Sequence, residues 1–148
     1  MTLSLFSDYS LRLLMYAAIK GGLFQIEEVT EAYGVSKNHL AKVVQALAKL
    51  GYLETRRGRG GGILLAKEPA AIRLGALIRA TENQPAMVEC FDPATNTCPI
   101  NGRCQLKGFL AEAMKAFYDS LDQHTLAELV AGRHRKGLER ILFPPPVQ

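Results

Sequence analysis

Three cysteines, Cys90, Cys98 and Cys104, fall within fifteen residues of one another in a chain of 148. Their spacing is Cys-x7-Cys-x5-Cys, with Pro99 directly after the second. Three thiols cannot all pair within one chain, and nothing at the N-terminus reads as a secretion signal, so a disulfide framework is not expected. Thiolates brought together by a flexible loop make a soft-metal site, suited to an iron-sulfur cluster or to zinc, and spacing alone does not choose between them. Structural cysteines tend to sit on apolar stripes, whereas Cys90 and Cys98 sit among turn formers. The stretch from Asn83 to Arg103 holds Pro85, Pro93, Pro99 and Gly102 with Asp92, Asn96 and Asn101, and it shows no helical or strand period. A loop of that length inside a compact domain is uncommon unless it is disordered or functional.

Either metal site asks for a fourth ligand, and there is no fourth cysteine. His39, His124, His134 and Asp8 are all available by sequence. Asp8 also suits two ordinary roles, complementing the dipole of the first helix and pairing with Arg12 at i+4. On the residues alone those roles are favoured. No Cys-x-x-Cys and no supported Ser, His and Asp constellation is present, so an enzyme is not expected and a thiol-redox enzyme is the weakest functional class.

The elements that must position these groups are legible from periodicity. Leu11, Leu14, Met15, Ala18 and Ile19 form one stripe of a helix that is predicted to start at Ser7 or Asp8 and stop at Gly21-Gly22. A second helix fits Glu27 to Tyr33, with Gly34 as its left-handed C-terminal residue. Ser36 can cap a third, in which Leu40, Val43, Val44, Leu47 and Leu50 share a face and Lys37, Asn38, His39, Lys42, Gln45 and Lys49 occupy the others. Two helices about the turn Gly34-Val35-Ser36, the second polar and basic outside, read as a helix-turn-helix. Tyr52 to Arg56 and Ile63 to Leu65 then read as short strands joined by Arg57-Gly58-Arg59-Gly60-Gly61-Gly62, a β-hairpin wing. Its glycines permit a tight turn, and Arg57 and Arg59 can reach a nucleic-acid groove.

Charge supports a polyanion-facing surface. The segment Ser36 to Lys67 carries seven cations against Glu54, a net +6 in a chain whose total is +4. Concentrated basic charge in an otherwise slightly acidic chain suits phosphate neutralisation. Ile72 to Thr81 has the spacing of a fourth helix. Leu106, Phe109, Leu110, Ala113, Met114, Phe117 and Leu121 mark an amphipathic helix of about four turns, and Thr125 can cap a short successor through Val130. A small winged helix has little surface to cover so long an apolar stripe, which points to a homodimer interface. The tail from Gly132, ending Phe143-Pro144-Pro145-Pro146, is expected to fray. With no apolar run of membrane-spanning length, a cytoplasmic protein is expected.

Several of these pieces resemble the family of dimeric winged-helix regulators with a three-cysteine iron-sulfur site, and most closely its nitric-oxide-sensing repressors. They are Phe6-Ser7-Asp8-Tyr9, Tyr33-Gly34-Val35-Ser36-Lys37-Asn38-His39, the wing run from Arg57 to Gly62, Cys104-Gln105-Leu106-Lys107, and Thr125-Leu126-Ala127-Glu128-Leu129-Val130. The resemblance implies a 4Fe-4S cluster on Cys90, Cys98 and Cys104, with Asp8 of the partner subunit as fourth ligand. The seven-residue gap between Cys90 and Cys98 also resembles iron-responsive repressors of the family, whereas Asn38-His39 is unlike its cluster-biogenesis regulators.

The expected architecture is therefore mainly α with a small β-hairpin: a winged helix-turn-helix in residues 1–82, a cluster-binding loop in 83–104, dimerisation helices in 105–131 and a flexible tail in 132–148. The expected function is a transcriptional repressor that binds a double-stranded DNA operator and senses nitric oxide. Ser36, Lys37, Asn38, His39, Lys42, Arg57 and Arg59 are its expected DNA contacts. A zinc-stabilised interaction module is the alternative from a different class.

Overall fold

A computed structural model describes residues 2–82 and 86–145. Asn83 and Pro85 of the loop, and the last residues of the tail from Pro146, lie outside the described residues. The chain forms α1 (Leu5–Lys20), α2 (Ile26–Tyr33), α3 (Lys37–Lys49), β1 (Leu53–Arg56), β2 (Gly62–Leu65), α4 (Leu74–Thr81), α5 (Gln105–Asp122), α6 (Leu126–Leu129) and α7 (Gly132–Leu142).

Helix α1 begins two to three residues earlier than its apolar stripe predicts. Ser4 is the N-cap, its hydroxyl accepting from the Ser7 amide at 3.1 Å, so Asp8 sits inside the first turn. Ser7, Ser10 and Thr81 are buried. The Ser7 and Thr81 hydroxyls hydrogen-bond at 3.0 Å, which satisfies both where α1 crosses α4. Leu13, Leu14 and Ala17 of α1 meet Val29 of α2, Leu40, Val43 and Leu47 of α3 and Ile63 of the hairpin in one core. Full burial of such a side chain contributes about 1.5–3 kcal/mol, so this cluster holds the helix-turn-helix against the wing.

The hairpin pairs antiparallel, Leu53 opposite Leu65 through Arg56 opposite Gly62. A third rung was not legible in the sequence: Phe24 exchanges two backbone hydrogen bonds with Ile63, at 2.9 and 2.8 Å. The tip is a tight turn in which the Gly61 amide donates to the Gly58 carbonyl at 3.0 Å, with Arg59 and Gly60 between them. Gly60 has φ +77, the left-handed conformation glycine accepts at no steric cost. At Gly61 an added Cβ would lie 2.2 Å from the Arg56 carbonyl oxygen, so the turn has no room for a side chain.

Helix α5 has no buried residue along its 18 positions. Its C-terminal end packs on α4, where a Cβ at Gly75 would meet the Tyr118 carbonyl oxygen at 2.7 Å. Asp122 pairs there with Arg79, whose guanidinium lies over the Tyr118 ring at 4.7 Å. That hydrogen bond from Arg79 holds the Asp122 carboxyl below its ordinary range. Helix α6, grouped by sequence with the long helix, packs instead into the winged helix. Leu126 is fully buried, its amide donates to the Ile72 carbonyl at 2.9 Å, and Thr125 supplies the expected capping box with Glu128.

Two sequence expectations need correction. Residues 132–142 form α7 rather than a frayed tail. Leu142 is buried, Leu138 packs on the core, and the Phe143 ring lies 4.8 Å from that of Tyr16. Two apolar positions in a strongly basic stretch were too few to show a period. The cysteine loop, in turn, is built of local turns. Glu89–Phe91 and Asn101–Arg103 are single 3-10 turns, and Asp92 accepts from the Ala94 amide at 2.9 Å.

Candidate DNA interface and cysteine site

Helix α3 presents Lys37, Asn38, His39, Lys42, Gln45 and Lys49 to solvent while Leu40, Val43, Val44 and Leu47 are buried. Asn38, Lys42, Gln45 and Lys49 follow the i, i+4, i+7, i+11 spacing of a single helical face. Ser36 occupies the N-cap position, its carbonyl accepting from the Leu40 amide at 3.1 Å. Its hydroxyl makes no capping bond, so capping in the sense expected from sequence is only half realised. That leaves the hydroxyl and the first-turn amides facing outward, where an anion suits the helix dipole.

Lys37 is held by Glu27 of α2 in an exposed ion pair. The hydrogen bond from Lys37 lowers the Glu27 carboxyl below its ordinary range. His39 packs its ring 6.2 Å from that of Tyr9 in α1. In the wing, Arg56 is bound by Glu54 at 2.8 Å, while Arg57 and Arg59 are exposed and take part in no ion pair among the described residues. Gln25 at the start of α2 donates from Nε2 to the Gly61 carbonyl at 2.7 Å and so fixes the wing relative to the helix-turn-helix. Sequence reasoning missed Gln25, because a contact across 36 positions leaves no local signal.

Asp8 forms the i+4 pair with Arg12 through both carboxylate oxygens, Oδ1 to Nε at 3.1 Å and Oδ2 to Nη2 at 2.8 Å. The Arg12 guanidinium lies 6.0 Å from the Tyr9 ring centre and 5.9 Å from that of Tyr33, the last residue of α2. Burial pushes the Tyr33 hydroxyl above its ordinary range, so it stays protonated beside the cation. Asp8 is thereby connected to the helix-turn-helix as well as to solvent, with 37% of its side chain exposed.

The three cysteines are free thiols, each half-buried, and none belongs to the apolar core. Cys90 is in the 3-10 turn Glu89–Phe91, the Cys98 amide donates to Asn96 Oδ1 at 3.1 Å, and Cys104 is the N-cap residue of α5. Among the described residues no three of the His, Cys, Asp and Glu side chains lie close enough together to hold a metal ion, so the single chain does not bring the thiols to one point. His124 binds Glu128 at 2.8 Å, His39 faces Tyr9, and His134 is exposed on α7. By donor chemistry the set fits a thiophilic centre: three soft ligands on one short stretch, uncommitted to any disulfide.

A winged helix-turn-helix with an exposed basic face, followed by a long helix that buries nothing in its own chain, is the architecture of a DNA-binding transcriptional regulator. Residues 3–132 match the Rrf2 family, described as iron-dependent transcriptional regulators, and the chain belongs to that family. This is a regulatory class and not a catalytic one. The chain is 48% identical over 132 residues to the HTH-type transcriptional regulator NsrR of Shouchella clausii, covering 88% of this chain and 89% of that one. It is 46% identical over 135 residues to NsrR of Bacillus subtilis, covering 90% and 92%. Among solved structures, the oxidized form of CymR from Staphylococcus aureus superposes with a TM-score of 0.69 at 26% identity, covering 89% and 98%. No helix among the described residues is long and apolar enough to cross a membrane.

Proposed function

We propose that the protein is a homodimeric, nitric-oxide-responsive repressor of the NsrR type, in which a 4Fe-4S cluster governs operator binding. The observation that carries this is the pairing, in one chain nearly half identical to NsrR regulators, of an exposed basic α3 and wing with three free thiols on a single loop. Cys90, Cys98 and Cys104 would hold the cluster, and Asp8 contributed from the other protomer would complete it. When bound, the cluster supplies an oxygen-ligated iron among thiolate-ligated ones, and that iron is the weak point open to nitric oxide.

The chain's own residues do the rest. Asp8 cannot serve a metal and remain bidentate on Arg12, so its ligation would free a guanidinium that now lies between Tyr9 and Tyr33. The two α3 helices would enter successive major grooves, with Ser36, Lys37, Asn38, His39 and Lys42 at the duplex and Arg57 and Arg59 in the flanking minor grooves. Supporting the dimer is α5, on which Leu106 and Phe109 are 59% and 64% exposed. The seven-residue gap between Cys90 and Cys98 favours iron as a second candidate signal.

Lys42→Ala and Arg59→Ala are each expected to weaken binding and to reduce the slope of log affinity against log salt by about one. Fluorescence anisotropy on the tightest duplex recovered from a random pool measures both. Unchanged affinity and slope in both variants would move the DNA surface elsewhere.

A further inference from the structure

Helix α7 carries Arg133, Arg135, Lys136 and Arg140 against one acid, Glu139, in eleven residues. The match to the family ends at residue 132, where this helix begins, so its charge lies beyond what that match covers. Leu142 is buried and Leu138 packs on the core, which fixes α7 against α1 and α2. Arg135 is committed within the fold: Nε binds Glu139 at 2.8 Å and Nη2 donates to the Ile19 carbonyl at 3.4 Å. Arg133, Lys136 and Arg140 are exposed and take part in no ion pair among the described residues. Lys136 and Arg140 line an open cleft with Lys20, at the C-terminal end of α1.

That cleft is continuous with the wing. Lys20 binds Glu28 in the first turn of α2 at 2.5 Å, Glu28 accepts from the Gln25 amide at 2.8 Å, and Gln25 reaches Gly61 of the wing at 2.7 Å. The first helix of a helix-turn-helix crosses the DNA backbone. An element packed beside α2 therefore stands next to the phosphate chain outside the groove that α3 enters.

We infer that α7 is a third DNA-contacting element, in which Arg133, Lys136 and Arg140 neutralise phosphates flanking each half-site without reading sequence. Long cations on an exposed helix, with no built pocket around them, suit a regular polyanion and give affinity without base discrimination. The inference rests on α3 and the wing being the DNA face.

The test uses cluster-loaded protein, wild type and R133A/K136A/R140A, titrated against salt on the duplex selected from a random pool. That duplex is used at minimal length and with one helical turn of unrelated sequence added on each side. On the extended duplex the triple variant is expected to lose about two to three units of log–log salt slope, while on the minimal duplex it matches wild type. An unchanged slope on the extended duplex, with Lys42→Ala still lowering it, would overturn the role of α7 and leave the DNA face standing. If Lys42→Ala and Arg59→Ala also have no effect, the DNA face falls with it. Loss of slope equal on both duplexes would overturn the flanking position. A changed oligomeric mass with unchanged slope would assign α7 to a protein contact instead.

Discussion

Replacing any one of Cys90, Cys98 and Cys104 with Ala is expected to abolish the cluster outright while leaving the winged helix folded. Both halves of that outcome follow from where the thiols sit. A cluster iron without its thiolate has no substitute within the described chain, because no other gathering of His, Cys, Asp and Glu is available to take it over. The cysteines are only half-buried and lie outside the core built by α1, α2, α3 and the wing. Truncating a half-buried side chain on a loop leaves no cavity of the kind that costs about 2–5 kcal/mol in a core. Anaerobic visible spectra with iron and sulfide analysis give the first result, and far-ultraviolet circular dichroism gives the second. A colourless wild-type protein containing zinc would establish the zinc-stabilised alternative. A variant that keeps a full cluster would remove that cysteine from the ligand set.

Phe109→Lys is expected to convert the dimer to a monomer and to lower affinity for the selected duplex by about 100- to 10 000-fold, the gain that joining two binding modules supplies. Phe109 is 64% exposed in the single chain and Leu106 59%, on a helix that buries no residue of its own. Large exposed apolar side chains in one stripe mark an association surface, and a lysine at its centre would place a charge where no acid is arranged to receive it. The same exposure makes the substitution harmless to the fold of the monomer. Sedimentation velocity and anisotropy on one sample separate the effects. A dimer that survives Phe109→Lys and Leu106→Lys together would relocate the interface.

Much of this was legible because the period of the sequence and the period of the structure coincide. Leu40, Val43, Val44 and Leu47 of α3 are buried as their spacing requires, and the outward positions carry the polar residues expected. The glycine run of the wing specified its turn through Gly60, which needs a positive φ. Contacts between distant segments were not legible. Phe24 adds its rung to Ile63 as a single residue with no strand pattern, and Gln25 finds Gly61 only after folding. Helix α7 escaped because Leu138 and Leu142 are two apolar residues among charges, and their partner Tyr16 belongs to the first helix. At the cysteine site, spacing identified the ligand types, while their convergence is not a property of the single chain.

The central claim is that operator binding follows the state of the cluster. Its most direct measurement is an anaerobic titration of the cluster-loaded dimer with nitric oxide, recording visible absorbance and duplex binding on the same sample. Release of the duplex in step with the loss of the cluster's absorbance is the result expected. Binding that persists after the absorbance has stopped changing, with release on iron chelation instead, would contradict nitric-oxide sensing and establish iron as the signal.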